Sequence, residues 1–371
     1  MKIALLGTRG IPANYGGFET FAEELSTRLA ARGHDVVVYG RTNNIRIRET
    51  TYRGVRLELL PTISHKYLDT LAHTALSTLH LLTHPTDVAL YCNGANAVFT
   101  FLPRAIGVPT ALNVDGLERK RKKWNRAARA WYLLSERLST LCPTAMVTDA
   151  RVIERYYNER YGLRSDFIAY GAESGRVETA ETLDRLGLRP GEYFLYVSRM
   201  EPENNALLVV RAFERTRTDR KLVMVGDAPY AAGYIERVKA TRDPRILFPG
   251  AIYGQGYREL QSHCRAYLHA TEVGGTHPAL IEAMGRGAPT LFLDAVENVE
   301  VAGGAGIAFA NDEAALAALV DRFCAMDDDE LRVLSERAAA IVAERYDWER
   351  IVDSYERLFE RLLSATATRH D

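Results

Sequence analysis

The sequence predicts an α/β protein built of two doubly wound halves. Three observations predict it. The chain opens on a strand, a glycine loop and a helix, and the same pattern restarts after Pro190-Gly191. Its 371 residues are also more than one ordinary core holds, so two domains of about 150–190 residues are the natural division.

In the first half, Lys2 to Leu6 is an apolar run that reads as a buried strand, and Gly7 to Gly17 form the loop after it. Phe18, Phe21, Ala22, Leu25 and Leu29 then recur at helical spacing and mark one face of a helix. Gly33 ends that helix, and Asp35 to Tyr39 is the next strand. Strand, helix and strand at this spacing imply a parallel sheet with a right-handed crossover. In the second half the strand candidates are Tyr193–Val197, Lys221–Val225, Ile246–Phe248, Ala266–His269 and Thr290–Leu293, with helical segments between them, the first from Asn205. The polar stretch 172–190 reads as the connection. A last helix is expected over Glu349 to Leu363, with Ile351, Tyr355, Leu358 and Leu362 along one face. The expected division is 1–180 for the first domain, 181–345 for the second and 346–371 for the terminal helix.

Composition narrows the function classes. With 47% hydrophobic and 26% charged residues the chain is that of a globular protein, not a disordered one. A net charge of −1 argues against a wholesale nucleic-acid binder, so any electrostatic attraction comes from a local patch. Cys92, Cys142, Cys264 and Cys324 stand far apart with no CxxC pair, which argues against a zinc site and a disulfide framework and suits a reducing compartment. His73, His80 and His84 are spaced irregularly without a carboxylate pattern, so no metal is expected. The N-terminal apolar run is too short for a signal peptide, and no apolar segment reaches the roughly 18 residues of a membrane span. A cytoplasmic enzyme is the expectation.

Ligands of open α/β sheets sit at the carboxyl ends of the strands, and two such sheets facing each other would put a cleft where those loops meet. Four loops there carry residues suited to chemistry. Gly7 to Glu19 is neither the dinucleotide G-x-G-x-x-G nor a phosphate loop ending in Gly-Lys-Ser/Thr. Gly16 and Gly17 nevertheless precede a helix start, where bare N–H groups and the helix dipole favour a phosphate. A tight turn that lets the helix pack on the sheet explains the same glycines. The loop Glu272-Val273-Gly274-Gly275-Thr276-His277 runs into a helix at Pro278, a favoured first helical residue. Glu282 lies one turn into that helix among apolar neighbours, so its carboxylate needs a partner, such as the paired hydroxyls of a ribose.

The third loop is Ser198 to Asn205, where Arg199 follows a strand and offers charge-assisted hydrogen bonds to a diphosphate; a surface ion pair is the plainer use of such a residue. In the fourth, Asp115 follows a strand-like run from Pro109 to Val114 and either contacts a sugar hydroxyl or makes an Asp-Gly turn. Directly after it, residues 119–129 hold seven basic side chains and no acidic one, with Trp124 among them and Trp131 just beyond. Such a run is either a solvated face or a contact with a phosphate-bearing acceptor at an anionic membrane surface.

Taken together and in this order, these segments resemble the retaining glycosyltransferases of family 4, and among them the rhamnosyltransferase-like members of bacterial surface-polysaccharide assembly. The residues that carry the resemblance are Gly7-Thr8-Arg9-Gly10-Ile11-Pro12, Tyr15-Gly16-Gly17-Phe18-Glu19-Thr20 and Asn113-Val114-Asp115-Gly116-Leu117-Glu118 with Lys120-Arg121 and Trp124. In the second half they are Arg199, Glu201 to Asn205, Gly274-Gly275-Thr276, Pro278 and Glu282-Ala283-Met284. The resemblance implies a GT-B fold, two Rossmann-like domains facing across a cleft, with the C-terminal helix crossing back onto the first. It implies Asp115, Arg199 and Glu282 as catalytic residues, and Gly16, Gly17, Glu19, Asn205, Gly274, Gly275, Thr276 and His277 as donor-binding ones. It also implies a nucleotide-sugar donor, dTDP-rhamnose first, a saccharide or lipid-linked acceptor, and neither metal nor other cofactor.

The chain departs from that pattern at three places. Family members carry two glutamates eight positions apart, and here the partner of Glu282 is Gly274. Asn204 and Asn205 stand where a lysine is usual, and His277 where the branch has asparagine. The first two departures fit a deoxysugar, with one hydroxyl fewer to satisfy. Competing readings are a sugar-nucleotide epimerase of the same shape, which would need no acceptor, and a non-catalytic subunit that binds donor without turning it over. An NAD-dependent oxidoreductase is disfavoured by the missing fingerprint.

Overall fold

The computed structural model describes residues 1–14, 16–47, 49–65, 68–122, 124–228 and 231–367. Along the chain the elements are β1 (Lys2–Leu6), α1 (Gly17–Ala31), β2 (Asp35–Arg41), β3 (Thr51–Tyr52), β4 (Val55–Leu60), α2 (Asp69–Thr83), β5 (Val88–Cys92), α3 (Phe101–Ala105), β6 (Thr110–Asn113), α4 (Arg126–Ser139), β7 (Ala145–Thr148), α5 (Arg151–Tyr161) and β8 (Asp166–Phe167). They continue as α6 (Glu181–Leu186), β9 (Tyr193–Val197), α7 (Ala206–Glu214), β10 (Lys221–Val225), α8 (Ala232–Lys239), β11 (Ile246–Gly250), α9 (Gly254–His263), β12 (Ala266–His269), α10 (Pro278–Gly285), β13 (Thr290–Leu293), α11 (Val296–Ala302), β14 (Gly306–Phe309), α12 (Glu313–Ala325), α13 (Asp328–Arg345) and α14 (Trp348–Ala367). Short 3-10 turns cover Gly94–Phe99, Glu118–Lys120 and Pro202–Asn204.

The chain divides into two compact units. One holds Met1–Lys120, Trp124–Tyr170 and Trp348–Asp371; the other holds Gly171–Asp347, with Arg121 and Lys122 grouped with it. Residues 172–190, expected as a plain connection, thus belong to the second unit and contain α6.

The first unit has an eight-stranded sheet in the order β3-β4-β2-β1-β5-β6-β7-β8. Every pairing is parallel except β3 with β4. The central strands are apolar runs because a parallel sheet is covered on both faces; all five residues of β5 are buried. From β1 the chain moves outward to β2 and β4, then returns to β5 on the other side, so the order reverses between β1 and β5. Right-handed crossovers therefore put α1 and the helices after β4 on opposite faces. Helix α14 packs beside α1: the Phe21 ring lies 5.5 Å from that of Tyr355 and 6.5 Å from that of Trp348. Arg32 braces the pair through Glu349 at 2.5 Å, Asp353 at 2.7 Å and Glu356 at 2.5 Å.

The second unit has a six-stranded parallel sheet, β11-β10-β9-β12-β13-β14. Its order reverses between β9 and β12. Phe194, Tyr196, Leu222, Met224, Leu268 and Leu291 pack with Val209, Val210 and Phe213 of α7 in one core. Two reversal points, one per unit, are where an open α/β sheet leaves a crevice for a ligand.

Candidate functional site

In the second unit the crevice lies between the loops after β9 and β12. Strands β9 and β10 end so close together that a Cβ at Gly226 would lie 1.8 Å from the Ser198 carbonyl oxygen, and Gly226 has φ +132°. Only glycine fits there. Arg199 follows, a third exposed, with its guanidinium 3.7 Å from the buried carboxylate of Glu201. Asn204 donates to the Arg199 carbonyl at 2.6 Å and fixes that turn. Asn205, left-handed at φ +57°, ties the two loops together. Its Nδ2 donates to the Ala270 carbonyl at 2.9 Å and to Glu272 Oε1 at 3.1 Å, while the Glu272 N–H donates to the Glu203 carbonyl at 2.9 Å. Burial works against the charge of Glu272, yet bonds from Lys122, Asn205 and Asn311 hold its carboxyl below the usual range.

The second loop leads into α10. Gly274, Gly275, Thr276 and His277 are all buried. His277 caps the helix before Pro278 with extended backbone. Its ring crowds Gly274: a Cβ at 274 would meet His277 Cε1 at 2.3 Å and Nδ1 at 2.9 Å. The His269 ring, at the end of β12, stands 4.7 Å away, centroid to centroid. Burial and the nearby Arg121 charge push the His277 imidazole down to about 3, and burial with His277 pushes His269 well below the usual range. Both rings are therefore neutral at pH 7, and the Nε2 of each is buried without a hydrogen-bond partner among the described residues. One turn on, Glu282 is half-buried. Its Oε2 accepts from the Tyr257 hydroxyl of α9 at 2.7 Å. Burial and the Glu282 charge raise that phenol well above its usual value, so it stays a donor.

In the first unit the reversal point lies between the loops after β1 and β5. Gly7, at φ +90°, lets them touch, since a Cβ there would be 2.4 Å from the Cys92 carbonyl oxygen. Gly16 caps α1, and its carbonyl accepts from the N–H groups of Glu19 and Thr20 at 3.1 and 3.2 Å. Tyr15, beside it, lies outside the described residues. Gly17 is the first residue of α1. The Glu19 side chain turns back under the loop and accepts from the Arg9 N–H at 3.0 Å. Burial raises its pKa, against the pull of Arg9. Glu19 thus holds the glycine loop in place. Asp115 follows β6 in the left-handed region, φ +54°, and its N–H donates to Asn113 Oδ1 at 3.1 Å. The Asn113 Nδ2 in turn donates to the Tyr355 hydroxyl of α14 at 3.0 Å, so the terminal helix supports the Asp115 turn.

The basic run 119–129 is not one free cationic face. Arg119 binds Glu136 at 2.7 Å, Arg121 is buried, and Lys122 lies 2.7 Å from Glu272. Lys120, Arg126 and Arg129 are exposed, and Lys123 lies outside the described residues. The sequence pointed to Arg199, Asn205, the 274–277 loop and Glu282, which the fold gathers in one unit. It named Glu201 only as part of the resemblance, and it gave no role to Tyr257 or His269; Glu201 and Tyr257 brace Arg199 and Glu282, and His269 lies beside His277. Among the described residues no group of three or more His, Cys, Asp or Glu could hold a metal ion, and no helix is long and apolar enough to cross a membrane.

Comparison with known proteins agrees with this architecture. Residues 191–326 match the model of the glycosyl transferases group 1 family, and residues 82–173 match a domain of unknown function (DUF1972). The uncharacterized glycosyltransferase YqgM of Bacillus subtilis is 24% identical over 285 residues, covering 72% of this chain and 75% of that protein. Among solved structures, sucrose-phosphate synthase from Thermosynechococcus elongatus superposes with a TM-score of 0.80 at 18% identity over 98% of this chain and 99% of that one. Anabaena Alr3699/HepE in complex with UDP and glucose gives 0.78 at 16% identity, over 97% and 100%. WaaG, a glycosyltransferase involved in lipopolysaccharide biosynthesis, gives 0.70 at 16% identity, over 95% and 99%. The chain thus has the two-domain GT-B-like fold of these structures, and most of its second unit matches the group 1 glycosyl transferase model.

Proposed function

We propose that the chain is a retaining glycosyltransferase that moves a sugar from a nucleoside diphosphate donor to a saccharide or lipid-linked acceptor in polysaccharide assembly, with dTDP-rhamnose as donor. The observation that carries the reading is the crevice between β9 and β12, where Arg199, the 274–277 loop and Glu282 come from loops joined by Asn205. HepE, of the same fold, was solved with UDP-glucose, and WaaG belongs to lipopolysaccharide biosynthesis.

In this reading Arg199 meets the charge that grows on the leaving diphosphate as the anomeric C–O bond breaks. Its ion pair with Glu201 holds the guanidinium ready. Glu282, oriented by the Tyr257 hydroxyl, accepts from the paired hydroxyls of the ribose. Gly16 and Gly17 offer backbone N–H groups to a phosphate, and Asp115 a carboxylate to a sugar hydroxyl. The acceptor oxygen forms the new bond on the face the diphosphate leaves, and a leaving phosphate oxygen takes the acceptor's proton. Neither metal nor other cofactor is invoked. Gly274 favours a deoxysugar, because no side chain at that position reaches for a hydroxyl and the neutral His277 ring fills the space instead.

The test is transfer of labelled sugar in the Glu282→Ala and Arg199→Ala proteins, alongside a panel of dTDP-rhamnose, UDP-glucose and GDP-mannose. Each variant should lose at least about a hundredfold in turnover, the scale of a lost transition-state donor. Wild-type turnover in both would refute the site. Product from UDP-glucose or GDP-mannose alone would keep the transferase and discard rhamnose.

A further inference from the structure

The loops after β1 and β2 of the first unit enclose a pocket of about 450 Å³, walled by Pro12 and Asn14 from the one and by residues 43–47 from the other. The local sequence holds it open. Gly10, at φ +100°, brings the first loop onto β2, since a Cβ there would lie 2.6 Å from the Gly40 α-carbon and 3.0 Å from Ile45. Ile45 is buried at that junction. The Arg41 N–H donates to the Arg9 carbonyl at 3.0 Å, and the Arg41 carbonyl accepts from the N–H groups of Asn44 and Ile45, both at 2.9 Å. Asn14 Nδ2 donates to the Asn44 carbonyl at 3.0 Å, and Asn43 Nδ2 to the Ser64 hydroxyl at 3.1 Å. The walls are therefore in place before a ligand arrives, which spares it the entropy of ordering them.

The lining has a definite chemistry. Three carboxamides, Asn14, Asn43 and Asn44, can both donate to and accept from hydroxyl groups. Pro12 and Ile47, both half-buried, add apolar surface for the C–H face of a sugar ring. Arg46 is exposed at the pocket, and among the described residues no ion pair engages it. None of the described lining side chains is acidic. A guanidinium beside carboxamides suits a carboxylate or phosphate that rides on a hydroxyl-rich molecule.

The place in the sheet adds a second constraint. The strand order runs β2-β1-β5-β6, so the loop after β2 stands three strand spacings of about 4.8 Å, or about 14 Å, from the Asp115 turn after β6. That is farther than one sugar ring spans. A ligand held at Arg46 is therefore a different ring from one whose hydroxyl meets Asp115.

We propose that this pocket is a remote acceptor subsite, which takes an anionic sugar residue of an oligosaccharide acceptor and reads its carboxylate or phosphate through Arg46. The proposal rests on the transferase reading and adds to it the charge and minimum length of the acceptor. A single neutral sugar would leave the pocket empty, whereas a longer acidic chain would gain the Arg46 bond and be held in register.

The test is calorimetric titration of the full chain with trigalacturonate, glucose 6-phosphate and the neutral maltotriose, and separately with dTDP. At least one charged sugar should bind, and maltotriose should bind at least about tenfold more weakly than it. The Arg46→Gln variant should lose about tenfold or more for the charged sugar, the size of a lost hydrogen bond to a charged group. Asn43→Ala should also bind it more weakly. Both positions are exposed, so both variants should keep the wild-type unfolding temperature and the wild-type affinity for dTDP. Wild-type protein that binds neither charged sugar at millimolar concentration overturns the proposal, as do equal affinities for trigalacturonate and maltotriose, or an Arg46→Gln protein that binds like the wild type. The dTDP titration keeps the two readings apart: nucleotide binding without sugar binding refutes the subsite alone, whereas a wild type that binds no nucleotide counts against the transferase reading itself.

Discussion

Replacing Gly274 with alanine tests whether the buried imidazole of His277 is what demands a glycine there. Gly274 does not lie in the left-handed region, so its backbone alone would accept any residue. The obstacle is space. A Cβ at 274 meets three ring atoms of His277, at 2.3, 2.9 and 3.2 Å, all inside the ordinary contact distance of about 3.5–4.0 Å. The ring has little room to swing clear, since it is buried, caps α10 and faces the buried His269 ring 4.7 Å away. Overpacking of this kind costs about 1–3 kcal/mol. Near the middle of that range, the second unit should unfold about 4–8 °C lower.

The assay is thermal unfolding of four proteins: wild type, Gly274→Ala, His277→Ala and the double variant. If the ring is the obstacle, Gly274→Ala should cost nothing once His277 is alanine. It should even stabilise by about 0.4–1 kcal/mol, because alanine restricts the unfolded chain. The coupling between the two sites should then exceed about 1 kcal/mol. An equal cost for Gly274→Ala with and without the imidazole, or no cost in either, would refute the reasoning.

Three further outcomes are expected. The depressed pKa values of His269 and His277 mean that the unfolded chain takes up protons below about pH 6.5 while the folded second unit does not, until about 3 for His277. Stability is therefore kept above pH 6.5 and lost as pH falls, at up to about 1.4 kcal/mol per pH unit for each ring; urea unfolding at pH 7 and 5 should show the slope, and the double alanine variant should lack it. Tyr257→Phe removes the charge-assisted bond that orients Glu282, worth about 1.5–3 kcal/mol; transfer assays should show reduced turnover, less severe than in Glu282→Ala, and an equal loss would mean that the phenol does more than orient. Tyr355→Phe leaves the buried Asn113 Nδ2 without its acceptor, so the first unit should lose about 1–3 kcal/mol, read as a drop in its unfolding temperature; an unchanged transition would show that the bond contributes nothing.

The two-sheet fold was readable because parallel strands covered on both faces are continuous apolar runs, as β1, β9, β10 and β12 are. Where a strand is half-covered the signal fades, and β14, with Phe309 its one buried residue, went unread. Helices α2 and α4 escaped for a different reason. Helical periodicity presumes that apolar residues face inward, but α2 buries His73, Thr74, Ser77 and Thr78, and α4 buries two serines and a glutamate. The sequence could place Arg199 and Glu282 because each stands at a fixed distance from a strand end or helix start. It could not supply Tyr257, because the partner of Glu282 lies 25 residues upstream on another helix and only packing brings the two within 2.7 Å. Position 274 shows the difference most sharply. In the sequence it is a carboxylate missing from an expected pair. In the structure the backbone there would accept a side chain, but the space is taken by the imidazole three residues on. Glycine at 274 and histidine at 277 are thus one feature, a change of the crevice wall from a charged group to a neutral ring, and a donor that fits it has to be judged against that ring rather than against an absent glutamate.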